Sequence, residues 1–139
     1  MKYLFFLLCL MLGAQNLPAQ TELELITSTV MDYIEGTANG EPDRISNAFH
    51  EDLNLYAIDN GKLVSRSGQQ YIGNFKPGKK YNRIGNIVSI DYENDAAMAK
   101  VRVLMPDMKR MYTDYLLLLK VEGQWKVIHK SYTYVEYPE

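Results

Sequence analysis

Cysteine is nearly absent from this 139-residue chain: the one copy, Cys9, falls in the first ten residues. A disulfide framework and thiol chemistry in the folded domain are therefore excluded, and packing alone must hold it together. Histidine is almost as scarce, with only His50 and His129. They stand far apart, no His-x-x-x-His or Glu-x-x-His spacing occurs, and a metal centre has no ligand set to build on. No Gly-x-Ser-x-Gly elbow and no glycine loop of the phosphate-cradling kind is present, which removes two further chemistries. Basic charge is not in excess either, with 15 Lys and Arg against 17 Asp and Glu. Nucleic acid and anionic membrane surfaces are accordingly disfavoured as partners. The one basic cluster, Lys76-Pro-Gly-Lys-Lys80 with Arg83, reads as a solvated loop.

Long hydrophobic runs are missing except at the start. Lys2 precedes an apolar stretch from Tyr3 to Leu12, and Ala14-Gln-Asn-Leu-Pro-Ala19 follows as a polar zone ending in a small residue. The stretch is shorter than the ~18 apolar residues a spanning helix needs, so residues 1–19 read as a signal peptide cleaved after Ala19. A lipoprotein reading of Cys9 fails because Leu8, not a small residue, precedes it. The expected product is an exported chain, periplasmic or extracellular, with one domain over residues 20–139. Loss of Lys2 leaves 14 basic residues against 17 acidic ones, a formal charge of −3.

What is present is a sequence of short, well-punctuated elements. Leu23, Ile26, Val30 and Ile34 recur at helical spacing after Thr21, with Glu22 and Glu24 at the positive end of the dipole. This helix is expected to stop near Gly36. Pro42 suits the first turn of a second short helix carrying Ile45, Ala48 and Phe49. Leu53, Leu55 and Ala57 alternate toward Asn60-Gly61, a type I′ hairpin signal, and Leu63-Val64 return. Ser67-Gly-Gln-Gln70 reads as a capping box opening a third helix. Four strands then follow, over residues 84–92, 96–105, 111–121 and 124–137. The fold class is α+β, helices combined with a long antiparallel meander.

Leu116-Leu-Leu-Leu119 is apolar on both faces, where a one-sided antiparallel strand alternates. One face belongs on the helices. The other needs a second cover, and a partner subunit is the simplest, so a homodimer is expected.

The tail is specific enough to name a family. Asp114-Tyr-Leu-Leu-Leu-Leu-Lys120, then Gly123-x-Trp125-Lys126-Val127 and Lys130, resembles the closing hairpin of nuclear transport factor 2-like proteins. The branch it is most similar to is the one called the putative lumazine-binding family. Tyr33-Ile-Glu-Gly-Thr37, Gly40-Glu-Pro-Asp43, Ala48-Phe-His50, Asp95-Ala-Ala97 and Lys100-Val101 match as well. The resemblance covers residues 20–139 and implies a cone: a long helix across a strongly curved antiparallel sheet, with a pocket between them and dimerisation through sheets. It also implies that any enzyme here works by general acid–base catalysis, with a pocket Asp or His as base and a Tyr or protonated Asp as hydrogen-bond donor.

Candidate site residues follow from that frame. Period two puts Trp125, Val127, His129, Ser131 and Thr133 on one face of the last strand, so His129 is expected to point into the pocket. The alternative is a core histidine bonded to a carbonyl or a Tyr. Asp114 opens the leucine strand and, being costly there unless paired, is either a general base or a structural acceptor. Tyr33, beside the apolar stripe of the first helix, is either the hydrogen-bond donor or a packed aromatic. Trp125, Tyr112 and Phe49 are expected to line the pocket, while His50 reads as a helix cap or a solvated loop residue. Tyrosine is abundant, ten in residues 20–139, and serves flat-ligand pockets and strands equally well. Three readings stand: a non-catalytic pocket for a small, flat or aromatic ligand or an exported protein partner, a small isomerase, dehydratase or polyketide cyclase, and an accessory dimerisation domain with a vestigial pocket. None calls for a cofactor.

Overall fold

The computed structural model describes residues 19–137, so the expected signal peptide, Ala19 apart, lies outside the described residues, as does Cys9. Helix α1 spans Glu22–Asn39. Its start is fixed reciprocally: the Glu24 amide donates to Thr21 Oγ1 at 3.3 Å and the Thr21 amide to Glu24 Oε2 at 2.8 Å. Ile26, Val30, Tyr33, Ile34 and Thr37 form its buried stripe. The helix runs three residues past the expected stop at Gly36. That glycine is a packing residue, since a Cβ there would stand 2.8 Å from Ile45 Cγ1 of the next helix. The terminating residue is Gly40, left-handed at φ 64°, as helix ends commonly require.

Helix α2 (Pro42–Ala48) starts on its proline. Strands β1 (Phe49–Asp59) and β2 (Lys62–Ser67) meet at Asn60-Gly61, both at positive φ as a type I′ turn demands. The capping box Ser67/Gln70 then opens α3 (Gly68–Ile72), with both of its hydrogen bonds formed. Strands β3 (Ile84–Glu93), β4 (Ala96–Met105), β5 (Arg110–Val121) and β6 (Gln124–Glu136) complete the chain.

All six strands form one sheet in the order β2-β1-β6-β5-β4-β3. Every neighbouring pair is antiparallel except β1 and β6, which run parallel and close the early hairpin onto the last strand. Bulges between Ile87 and Ser89, and opposite Leu117–Leu118, increase the local twist and curve the sheet around α1. The core lies between them: Ile26, Val30 and Tyr33 meet Val101, Leu116, Leu118 and Val127, all 1% exposed or less. Of the four leucines, Leu116 and Leu118 face this core, while Leu117 and Leu119 point outward at 47% and 39% exposure. Among the described residues, no helix is long and apolar enough to cross a membrane.

Candidate functional site

The pairing of β4, β5 and β6 sorts side chains into rows across the sheet. On the core face, Ala99, Leu116 and Lys130 form one row, and Val101, Asp114 and Tyr132 the next. Beyond them, toward the open end, come Val103, Tyr112 and Tyr134. The apolar filling thus gives way to polar and aromatic groups along the sheet. There the core ends in a cavity of about 310 Å³. Its walls are aromatic: Tyr71 of α3, Phe75 and Tyr81 of the following loop, Tyr112 of β5 and Tyr132 of β6. Tyr71 meets Phe75, and Phe75 meets Tyr81, edge-on with ring centroids 5.2 Å apart. Arg83, Arg66, Asn74 and Met105 complete the lining with Asp114 and Lys130.

The polar floor is a three-residue network reaching back to α1. Lys130 Nζ lies 2.9 Å from Asp114 Oδ2 and donates to the Tyr33 hydroxyl at 2.5 Å. That hydroxyl donates in turn to Asp114 Oδ2 at 2.6 Å. None of the three is more than 4% exposed. A buried carboxylate survives when a partner cation and hydrogen bonds replace its hydration, and Lys130 and Tyr33 supply both. The replacement is incomplete. Asp114 Oδ1 and Arg83 Nε are buried yet have no hydrogen-bond partner among the described residues. Both residues line the cavity.

Electrostatics separate the two tyrosines here. Burial first, and the Asp114 charge second, push the Tyr33 hydroxyl well above its ordinary value of 10.0, keeping it a neutral donor. Burial also raises Tyr71, but the charges of Lys130 and Arg83 outweigh it and the net shift is downward. Arg83 Nη2 donates to the Tyr71 hydroxyl at 3.4 Å.

Of the residues singled out in the sequence, Asp114 and Tyr33 meet in this network and Tyr112 stands in the cavity wall. Tyr33 lies behind Asp114 and does not itself line the cavity. Three others are elsewhere. His129 faces away: Leu118 pairs with Val127 but Leu117 with His129, so Ile128 is an extra residue and the alternation inverts beyond it. His129 instead stacks on Tyr56 at 5.1 Å and its Nε2 meets Ser131 Oγ at 2.7 Å, on the outer face. Trp125, before the bulge, keeps its inward position but at the other end of the sheet. Its Nε1 donates to Glu22 Oε2 at 2.7 Å, and it borders a separate crevice with Leu25 and Thr29. Phe49 packs on Tyr33, ring centroids 5.5 Å apart, and serves the core. His50 accepts from the Asp52 amide at 3.2 Å as the second residue of β1, and the residue that caps α2 is Phe49.

Lys130 is a cavity residue that period two concealed, since strict alternation assigns it to the opposite face. The same inversion that turned His129 out brought Lys130 and Tyr132 in.

A sequence model of the family described as "Putative lumazine-binding" matches residues 21–133. The chain belongs to that family. Its fold is nuclear transport factor 2-like. The chain is similar to a nuclear transport factor 2-like protein from Shewanella baltica, with a TM-score of 0.71 at 25% identity, covering 87% of this chain and all of that one. A second such protein, from Silicibacter pomeroyi, also superposes with a TM-score of 0.71, at 20% identity over 81% of this chain and 95% of its own. Both are described as of unknown function. In sequence, the chain is 23% identical over 113 residues to the aldolase FrzH of a Cladobotryum species, 81% of this chain and 90% of the relative.

Proposed function

We propose that this chain is an exported small-molecule-binding domain whose aromatic cavity takes a flat ligand and sets its polar edge against Asp114, Arg83 and Lys130. The observation that carries this reading is the pair of unpartnered buried atoms, Asp114 Oδ1 and Arg83 Nε, on residues that line one cavity. An unsatisfied buried acceptor costs about 1–3 kcal/mol, which a ligand that donates to Asp114 recovers on binding. Flatness follows from the walls, where five aromatic rings offer faces and edges to a planar guest. At about 310 Å³ the space suits a bicyclic or tricyclic compound and sits at the lower end of ordinary ligand pockets. The family's description points the same way. Export rests on the sequence of residues 1–19, and a homodimer on the outward Leu117 and Leu119.

A thermal-shift screen of residues 20–139 against pteridines, flavins, steroids and aromatic polyketide-like compounds tests this. A ligand at 100 times its Kd stabilises the fold by about 2.7 kcal/mol, a rise of several degrees for a domain this size. A screen with no shift from any flat compound contradicts the reading.

The second reading is a small acid–base enzyme, with Asp114 as base and Tyr33 acting through it. The closeness of Lys130, Tyr33 and Asp114 favours it, together with the similarity to an aldolase. A hit from the screen separates the two. A binding domain returns it unchanged after prolonged incubation, whereas an enzyme converts it, and Asp114→Asn abolishes the conversion.

A further inference from the structure

We propose that Lys130 is a nucleophilic amine that holds flat aromatic aldehydes or ketones as an imine at the floor of the cavity. The inference rests on the reading that the cavity takes a small ligand. Lysine is seldom buried, because its ammonium is strongly hydrated and its stem flexible enough to reach water. Lys130 is 4% exposed, and the space it borders is the cavity. Its Nζ lies 4.6, 5.1 and 5.4 Å from the ring centroids of Tyr33, Tyr71 and Tyr132, so its surroundings are aromatic, as for amines that form Schiff bases.

Asp114 is placed to move the protons. Its Oδ2, 2.9 Å from Nζ, takes one proton from the ammonium and leaves a lone pair on nitrogen. That pair attacks the carbonyl carbon, the C–N bond forms, and the C=O π pair moves onto oxygen. Asp114 returns the proton to that oxygen, giving a carbinolamine. It then takes a second proton from nitrogen and delivers it to the hydroxyl. Water leaves as the nitrogen pair forms C=N. In sum, an ammonium and a carbonyl give an iminium and water, with charge unchanged and no oxidant or reductant. Tyr33, bonded to both Lys130 and Asp114, is a positioning residue. Arg83, which also lines the cavity, offers its guanidinium to a carboxylate or carbonyl oxygen elsewhere on the ligand.

Borohydride trapping tests this with para-formylbenzoate as the probe. Intact mass should show one reduced adduct per chain, and peptide mapping should place it on Lys130. Exposed Lys62, Lys76, Lys79 and Lys80 should label roughly tenfold more slowly, the reverse of the order that exposure sets. Asp114→Asn should slow trapping by roughly 100-fold, as loss of a positioned proton carrier does. The wild-type map decides even where a variant fails to fold. Para-hydroxymethylbenzoate, which has no carbonyl, gives the control by thermal shift. Stabilisation by both compounds with labels only on exposed lysines overturns the imine and leaves the ligand reading standing. No stabilisation by either, and no adduct at Lys130, overturns the imine, while the ligand reading falls only if the wider screen of flat compounds is also without a shift.

Discussion

Asp114 places a full negative charge in a strand that continues as four leucines, and its neighbours show how the cost is offset. Lys130 and Tyr33 both contact Oδ2, and both are themselves buried. Removing one member therefore leaves another uncompensated. Asp114→Ala should destabilise the domain by about 3–5 kcal/mol in denaturant unfolding, since Lys130 then lies buried without its counterion. The double variant Asp114→Leu with Lys130→Met should cost far less, because no charge remains to strand. Equal costs for the single and the double variant would show that the pair is not the source of the penalty. Sequence alone could pose the choice at Asp114, base or structural acceptor, but not its partner. The acidic residue was legible because a carboxylate entering an apolar run is conspicuous. Lys130 was not, because strict alternation set it on the face opposite Trp125.

That difference belongs to the scale of the element. A single extra residue, Ile128, exchanges the faces of β6 beyond it, and no local preference marks the position. Turns and caps behave otherwise, because their chemistry is written in a few adjacent residues. Asn60-Gly61 and Ser67-Gly-Gln-Gln70 formed the turn and the cap their types require. Gly36 and Gly40 show the limit of such signals, since both are glycines near a helix end and only contacts distinguish them. Gly40 also ties α1 to the cavity wall: its carbonyl accepts from the Gly78 amide at 2.8 Å, and Ala38 O from the Tyr81 amide at 2.8 Å. A Cβ at Gly40 would stand 2.2 Å from Lys79 O, on a residue already left-handed. Gly40→Ala should therefore cost more than the roughly 1–2 kcal/mol of the left-handed conformation alone, and should displace Phe75 and Tyr81. Thermal unfolding and ligand affinity measured together check this, with both expected to fall. A variant as stable as the parent would mean that the loop tolerates the shift.

For the molecule as a whole, the two faces of the sheet have separate characters. The inner rows run from the apolar core into the cavity. Outward, Met98, Leu117 and His129 form one row, and Lys100, Tyr115 and Ser131 the next. Met98, Tyr115 and Leu117 are 46–48% exposed, a patch of the kind an association surface carries. Light scattering at micromolar concentration should give twice the chain mass, and Leu117→Lys with Leu119→Glu should halve it. A monomer in the parent protein would remove the need for a second cover on this face. Sheet order was only half legible in the sequence. Each hairpin announced its own turn, but the parallel join of β1 to β6 has no local signature, and it is this join that sets the early hairpin beside the last strand.

Amide chemical-shift mapping of residues 20–139 during titration with a set of flat heterocycles tests the central claim most directly. Binding in the cavity predicts the largest shifts at Tyr71, Arg83, Tyr112, Asp114 and Tyr132, with His129 and Trp125 unmoved. Shifts gathered around Tyr56 and His129 or beside Trp125, or no shifts with any compound, would contradict it.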